Sequence, residues 1–188
     1  MTNGEGLASM HSRWLQDPYR EIFPLSHLMR TAIPHAWLRI HSLPDSKRYA
    51  SNDLERQVVF ERYRRFGSAL LGDAAPCAVI HSRFDESMPE AEWLPKMEWV
   101  SLKQTVENQE EVWNSWIADA TWNPDTFRPL LMAIADDQVR SFAFLSKTTD
   151  AIFAPYDGGA DGFSLDAPTM LRLSKEFQSW RSAHPRGL

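Results

Sequence analysis

The amino-acid sequence predicts an α+β fold, a mainly antiparallel sheet with helices packed on it, and three observations carry that prediction. Strand-length stretches of alternating apolar and polar residues recur in runs joined by short turns. Amphipathic stretches with helix start and stop residues are set between those runs. The resulting order, β, α, β, β, β, α, β, β, β, α, gives one α+β domain. At 188 residues the chain is of single-domain length, and a chain of this size buries about 70% of its unfolded surface. No internal repeat, low-complexity tract or long linker divides it.

Residues 1–9 are small and polar and predict a flexible tail, with the domain spanning 10–188. Apolar residues recur from Met10 to Ile33, but Pro18 and Pro24 interrupt them, so the spacing predicts short helical pieces, the firmer near Leu25–Thr31. Ala36 to Ser42 alternates, with Leu38 and Ile40 on one face and Trp37, Arg39 and His41 on the other. Pro44-Asp45-Ser46 turns the chain, and Asn52 with Glu55 forms a capping box for a helix over 53–71, which Gly72 ends. Leu54, Val58, Phe66 and Leu70 predict its apolar side, while Arg56, Arg62, Arg64 and Arg65 predict a solvated basic side.

Cys77 to Phe84 reads as a second strand, 85–95 as a loop, and Met97–Lys103 and Glu111–Trp122 as two further strands joined at Glu107-Asn108-Gln109. Asn123-Pro124 offers a helix start, but Pro129 sits deep, so the regular helix is expected to begin near it. Val139–Ser146 and Ala151–Tyr156 form a hairpin, and a glycine turn leads into a short strand ending at Leu165. Asp166 caps the last helix, in which Met170, Leu173, Phe177 and Trp180 fall at spacings of three and four.

Composition narrows the function. A net charge of −5 argues against general nucleic-acid binding. No apolar run approaches membrane-spanning length, and the first twelve residues lack the apolar core of a secretion signal, so a soluble cytoplasmic protein without a membrane partner is expected. Cys77 is the only cysteine, which excludes an intrachain disulfide and fits a reducing compartment. His and Cys spacings for a metal site, the P-loop, the dinucleotide fingerprint and the Gly-x-Ser-x-Gly elbow are all missing, so no metal, cofactor or catalytic residue is assigned. The oligomeric state is not legible.

The stretch Phe153 to Phe163 concentrates turn chemistry, with Asp157, Gly158, Gly159 and Asp161 at its centre. Asp-Gly-Gly between strands asks for positive φ at one glycine. The two aspartates also offer oxygens to a cation, though too few for a calcium loop. Ile40-His41-Ser42 and Ile80-His81-Ser82 echo each other on two strands, a pattern similar to the two-histidine phosphoesterases. Here each serine directly follows its histidine and so points to the opposite face, whereas that family keeps both groups on one face. Should the two strands pair, Arg39, His41, Lys47, Arg48, His81 and Arg83 would gather into an anion site for a phosphate-bearing ligand.

The charge layout supports a different class. From Asp85 to Asp137 twelve acids stand against three bases, together with five of the eight tryptophans. Glu110, Glu111, Trp113, Trp116 and Asp119 would form an acidic, aromatic surface able to steer and hold a basic protein partner. The segments Trp37-Leu38-Arg39-Ile40-His41-Ser42-Leu43-Pro44 with Ser46-Lys47-Arg48-Tyr49, Ala154 to Asp161, and Trp180 before Gly187-Leu188 resemble a family of small, uncharacterised bacterial proteins, some of them similar to immunity proteins of toxin systems. That resemblance implies a bacterial cytosolic setting and a binding role, and transfers no active site. Two expectations follow: a non-enzymatic protein-binding protein, an immunity factor neutralising a basic toxin, or a phosphate-ligand binder or phosphoesterase-like enzyme using the strand histidines and arginines.

Overall fold

The computed structural model describes residues 22, 24–84, 93–103 and 113–182. The tail at 1–9, the turn at 107–109 and most of the loop at 85–95 lie outside them. In chain order the elements are α1 (Ser26–Ala32), β1 (Trp37–His41), α2 (Asp53–Leu71), β2 (Pro76–Arg83), β3 (Trp99–Lys103), β4 (Asn114–Thr121), α3 (Arg128–Ala135), β5 (Phe142–Ser146), β6 (Ile152–Tyr156), β7 (Gly159–Phe163) and α4 (Ala167–Glu176). The strands form one sheet in the order β1-β7-β6-β5-β2-β4-β3, and every neighbouring pair is antiparallel. The fold class is therefore the one the sequence predicts.

α2 matches its expected span because both its ends are specified by side chains. Asn52 Oδ1 accepts from the Glu55 amide at 3.0 Å, and Gly72 takes φ +86° to close the C-terminus. The reciprocal arm of the capping box lands one residue early: Glu55 Oε2 accepts from the Ser51 amide and also pairs with Lys47. The buried stripe is Val59, Phe60, Tyr63, Phe66 and Leu70; Phe66 and Leu70 are the expected ones, whereas Leu54 and Val58 turn outward. At about 100° per residue Leu54 lies half a turn from Tyr63, and Leu54 and Val58 are 73% and 39% exposed. The basic row divides as well. Arg62 is buried, with Nη1 donating to the His41 carbonyl at 2.8 Å and its guanidinium over the Trp180 ring.

The two faces of the sheet are covered unequally. Leu38, Ile40, Val79, Phe144, Phe153 and Ala160 face α2, α3 and α4, and Trp122 is fully buried among Phe127, Phe144 and Phe153 with edge-to-face contacts at 5.0 and 5.4 Å. Leu173 and Phe177 anchor α4 in the same core, Phe177 standing edge-on to Phe66 at 5.1 Å. On the opposite face Met29 and Ile33 bring the α1 segment against Ile80, Ile117, Leu145 and Phe163. α3 begins at Arg128, with Pro129 in its first turn, where a missing amide costs nothing.

Candidate functional site

An all-antiparallel sheet collects alternate strand termini at each end. One end carries the last residues of β1, β6 and β2, namely His41, Tyr156 and Arg83, with the first residues of β7, β5 and β4, namely Gly159, Phe142 and Asn114. The site is built there, and the hairpin of β6 and β7 is its centre. Asp157 and Gly158 form a two-residue loop between the paired Tyr156 and Gly159. Neither glycine takes positive φ, contrary to the expectation from Asp-Gly-Gly. The loop is instead held from outside: Ser42 N–H donates to the Gly158 carbonyl at 3.0 Å, and Asp157 accepts from Arg48 Nε at 2.6 Å and Tyr49 Oη at 2.9 Å. Gly159 is required for a different reason. A Cβ there would lie 1.9 Å from the Ile40 carbonyl oxygen, so the close approach of β1 to β7 admits no side chain.

Asp161 stands opposite Arg39 in the register of β1 and β7. Its carboxylate is fully buried and accepts three bonds, from Arg39 Nε and Nη2 at 2.8 Å each and from Trp37 Nε1 at 2.7 Å. The oxygens of both aspartates are thus taken by arginines, which replaces the cation reading of this stretch. Among the described residues no group of three His, Cys, Asp or Glu side chains is placed to hold a metal ion. Burial alone would lower the Arg39 pKa, but the hydrogen bond and charge of Asp161 outweigh it and raise it. Burial also pushes the Tyr156 phenol far up, so it stays protonated and is available as a donor. The Arg39 guanidinium lies 4.6 Å from the Tyr156 ring centroid and 5.4 Å from that of Trp37.

These groups wall a cavity of about 280 Å³ between the β5–β7 strand ends, the α1 segment and residues 139–141. Arg30, Arg39, Arg48 and Arg140 line it with Tyr156, and Leu25, Ile134, Val139, Phe142 and Pro155 supply an apolar wall. Three of the four guanidiniums are matched by carboxylates: Arg39 by Asp161, Arg48 by Asp157 and Arg140 by Asp137. Arg30 has no ion pair among the described residues and rests on the Trp37 ring at 5.4 Å. His27 lines the same cavity, its pKa lowered by burial and then by Arg30. The chemistry of this wall is multidentate hydrogen bonding to an oxyanion with a net positive field.

The structure divides the sequence-derived anion set. Arg39 and Arg48 meet in the cavity, and Arg30, Arg140 and Tyr156 join them from outside the set. Lys47 is instead paired with Glu55 at the start of α2, and His41 Nε2 lies 3.3 Å from Ser46 Oγ. His81 and Arg83 line a separate cavity of about 530 Å³. β1 and β2 do not pair: three strands lie between them, roughly 19 Å at normal strand spacing. The histidines also project from opposite faces, His41 alternating with the core residues Leu38 and Ile40, and His81 sharing a face with Val79. The twin-histidine phosphodiester arrangement is therefore not formed. His81 is buried and stacked on Phe142 with ring centroids 4.1 Å apart.

The acidic surface is likewise redistributed. Glu110 and Glu111 lie outside the described residues. Trp116 is 8% exposed and so belongs to the interior, not to a partner surface, because it faces the same side as His81 and Ala118. Trp113 is half-buried, edge-on to Phe84, and Asp119 pairs with Lys147 at 2.6 Å. Cys77 is buried, which pushes its thiol up to about 12, and it is inert.

A model of a protein family described as a domain of unknown function, DUF3885, matches residues 25–185. The chain belongs to the DUF3885 family. The matched span holds every charged residue that lines the arginine cavity, so the cavity is part of the DUF3885 domain and not of an appended segment. No curated protein and no solved structure matches the chain. Among the described residues no helix is long and apolar enough to cross a membrane.

Proposed function

We propose that this DUF3885 chain is a binding protein whose recognition site is the arginine cavity, and that its ligand carries a multi-oxygen anion such as a phosphate. The observation that carries this reading is Arg30, a guanidinium facing the cavity that has no carboxylate partner among the described residues, beside three that are matched. An anion there gains a charge-assisted bond from Arg30 and further donors from Arg39, Arg140 and Tyr156 without having to break the buried pair of Asp161. The prearranged Asp161, Asp157 and Asp137 hold the other arginines in place, which lowers the ordering cost of binding.

Titration calorimetry with inorganic phosphate and with sulfate tests the reading. Saturable binding at one site is expected, weakened about tenfold or more by Arg30→Gln. Absence of binding by the wild type, or equal binding by the variant, refutes it.

A cytoplasmic, bacterial immunity factor for a basic toxin is the other reading, and its support is the sequence resemblance together with the acidic stretch. It places recognition on Glu110, Glu111, Trp113 and Asp119. Reversing Glu110 and Glu111 to Lys would then abolish partner binding, while the cavity reading expects that double change to leave phosphate binding intact.

A further inference from the structure

One row of the sheet register runs through the arginine cavity and changes character along its length. Arg39 on β1 stands opposite Asp161 on β7, and Asp161 opposite Ala154 on β6. Ala154 in turn falls beside Ala143 on β5, one step beyond the Phe144–Phe153 pair. Residues directly opposite on neighbouring strands share a face, and all four of these line the one cavity. The Arg39 guanidinium leans along the row toward the alanines. It bonds both oxygens of Asp161 and lies 4.6 Å from the ring centroid of Tyr156, which is on the same face of β6 as Ala154. A cation and an apolar floor are therefore about one strand spacing apart, roughly 5 Å, within a single cavity.

The two alanines make the room. The next row on that face carries Phe163, Ile152 and Leu145, large side chains that pack against Met29 and Ile33 of the α1 segment. Small residues at Ala154 and Ala143 leave space that Leu25, Val139 and Phe142 line with further apolar surface. That space exceeds what an inorganic anion needs. A phosphate displaces roughly two to three waters, about 60–90 Å³, against a cavity of about 280 Å³. About 200 Å³ is left over, and an apolar cavity of about 150 Å³ already accepts a benzene ring. Water against such a floor finds few partners, so an apolar group that displaces it gains affinity.

We infer that the ligand of the arginine cavity is a phosphate monoester of a compact apolar alcohol, about one ring in size, with its phosphate on the arginines and its apolar group over Ala143 and Ala154. This rests on the anion-binding reading above and deepens it. A phosphate uses more of the available guanidinium donors than a two-oxygen carboxylate does, and a free phosphate leaves the apolar floor uncovered.

Calorimetry on the full chain with phenyl phosphate, inorganic phosphate, glycerol 2-phosphate, phenol and benzoate tests it. Phenyl phosphate is expected to bind at least tenfold more tightly than inorganic phosphate or glycerol 2-phosphate, from the burial of one ring. Ala154→Leu fills the floor and is expected to bring the ratio of phenyl phosphate to phosphate affinity close to one. Val139→Ser, a change at a half-buried turn residue, keeps the test open if the leucine disturbs folding, and is expected to reduce that ratio at least threefold. Inorganic phosphate or glycerol 2-phosphate matching phenyl phosphate overturns the inference but leaves the anion site standing. No binding of any of the three phosphates overturns both. Phenol or benzoate matching phenyl phosphate overturns the assignment to a phosphate monoester, and an unchanged ratio in both variants overturns the placement of the apolar group.

Discussion

Gly159→Ala is the sharpest probe of how this sheet end is held together. The added Cβ would lie 1.9 Å from the Ile40 carbonyl oxygen and 3.0 Å from the Ile40 carbonyl carbon and the Tyr156 hydroxyl. Ordinary contact begins at 3.4 Å, so the β1 backbone must retreat by about 1.5 Å at this point. A backbone carbonyl in a ladder cannot rotate away as a flexible side chain would. Overpacking typically costs about 1–3 kcal/mol, and losing one or two backbone hydrogen bonds adds about 1 kcal/mol each. The expected loss is therefore about 2–5 kcal/mol, or roughly 5–15 °C in melting temperature for a domain of this size. Gly158→Ala is the control, because its Cβ would first meet the Tyr156 ring at 3.2 Å, a side chain able to yield. Urea denaturation followed by circular dichroism measures both. Since Arg39 is two residues before His41, which pairs with Gly159, the same change should weaken phosphate binding. Equal stability of Gly159→Ala and wild type, or equal losses at Gly158 and Gly159, refutes the reasoning.

Other outcomes follow from the same structure. Phe177→Ala is expected to cost about 3–5 kcal/mol, because the ring is 1% exposed and packs edge-on against Phe66; chemical denaturation checks it. Arg39→Ala leaves the Asp161 carboxylate buried with only the Trp37 donor, and breaking such a pair costs about 3–5 kcal/mol. Arg39→Ala with Asp161→Asn should recover part of that loss in a double-mutant cycle, and no coupling would contradict the pairing. His41 has its pKa lowered by burial first and then by Arg39 and Arg62. Its folded pKa lies below the unfolded value near 6.5, so the unfolded state binds the proton first and stability falls as pH drops through that window. Between pH 7.5 and 5.5 the His41→Gln variant should therefore lose less stability than the wild type in urea titrations.

Local rules carried the fold and gave out at the site. Asn52, Gly72 and Asp166 specify helix ends through bonds to near neighbours in sequence, so α2 and α4 were legible. The alternation at Leu38 and Ile40 fixed the faces of β1 for the same reason. Strand order is set by contacts more than a hundred residues apart, such as Arg39 with Asp161, and no local pattern encodes it. The pairing of His41 and His81 failed on that account: an echo in sequence says nothing about which strand lies beside which. Of the two turn glycines only Gly159 is required, and not for a positive φ: the need arises from the close approach of β1, a strand remote in the chain, while Gly158 meets only side chains. The same distance hid the role of Arg30 and Arg140. Arg30 sits in a short helix on one face and Arg140 in a turn, and only the folded sheet end brings them to Arg39. The tryptophans were ambiguous because composition does not report burial; Trp122 is core and Trp113 is not.

The account rests on one cavity gathering guanidiniums for an anion, and the guanidiniums themselves can report on it. Phosphate titration followed by NMR of the arginine Nε–Hε signals should shift those of Arg30, Arg39 and Arg140 together, saturating at one equivalent site. Those of Arg56, Arg64 and Arg172, which pair with carboxylates elsewhere on the surface, should stay still. Uniform small shifts across all six, or no shift at Arg30, would contradict the claim that this cavity is the binding site.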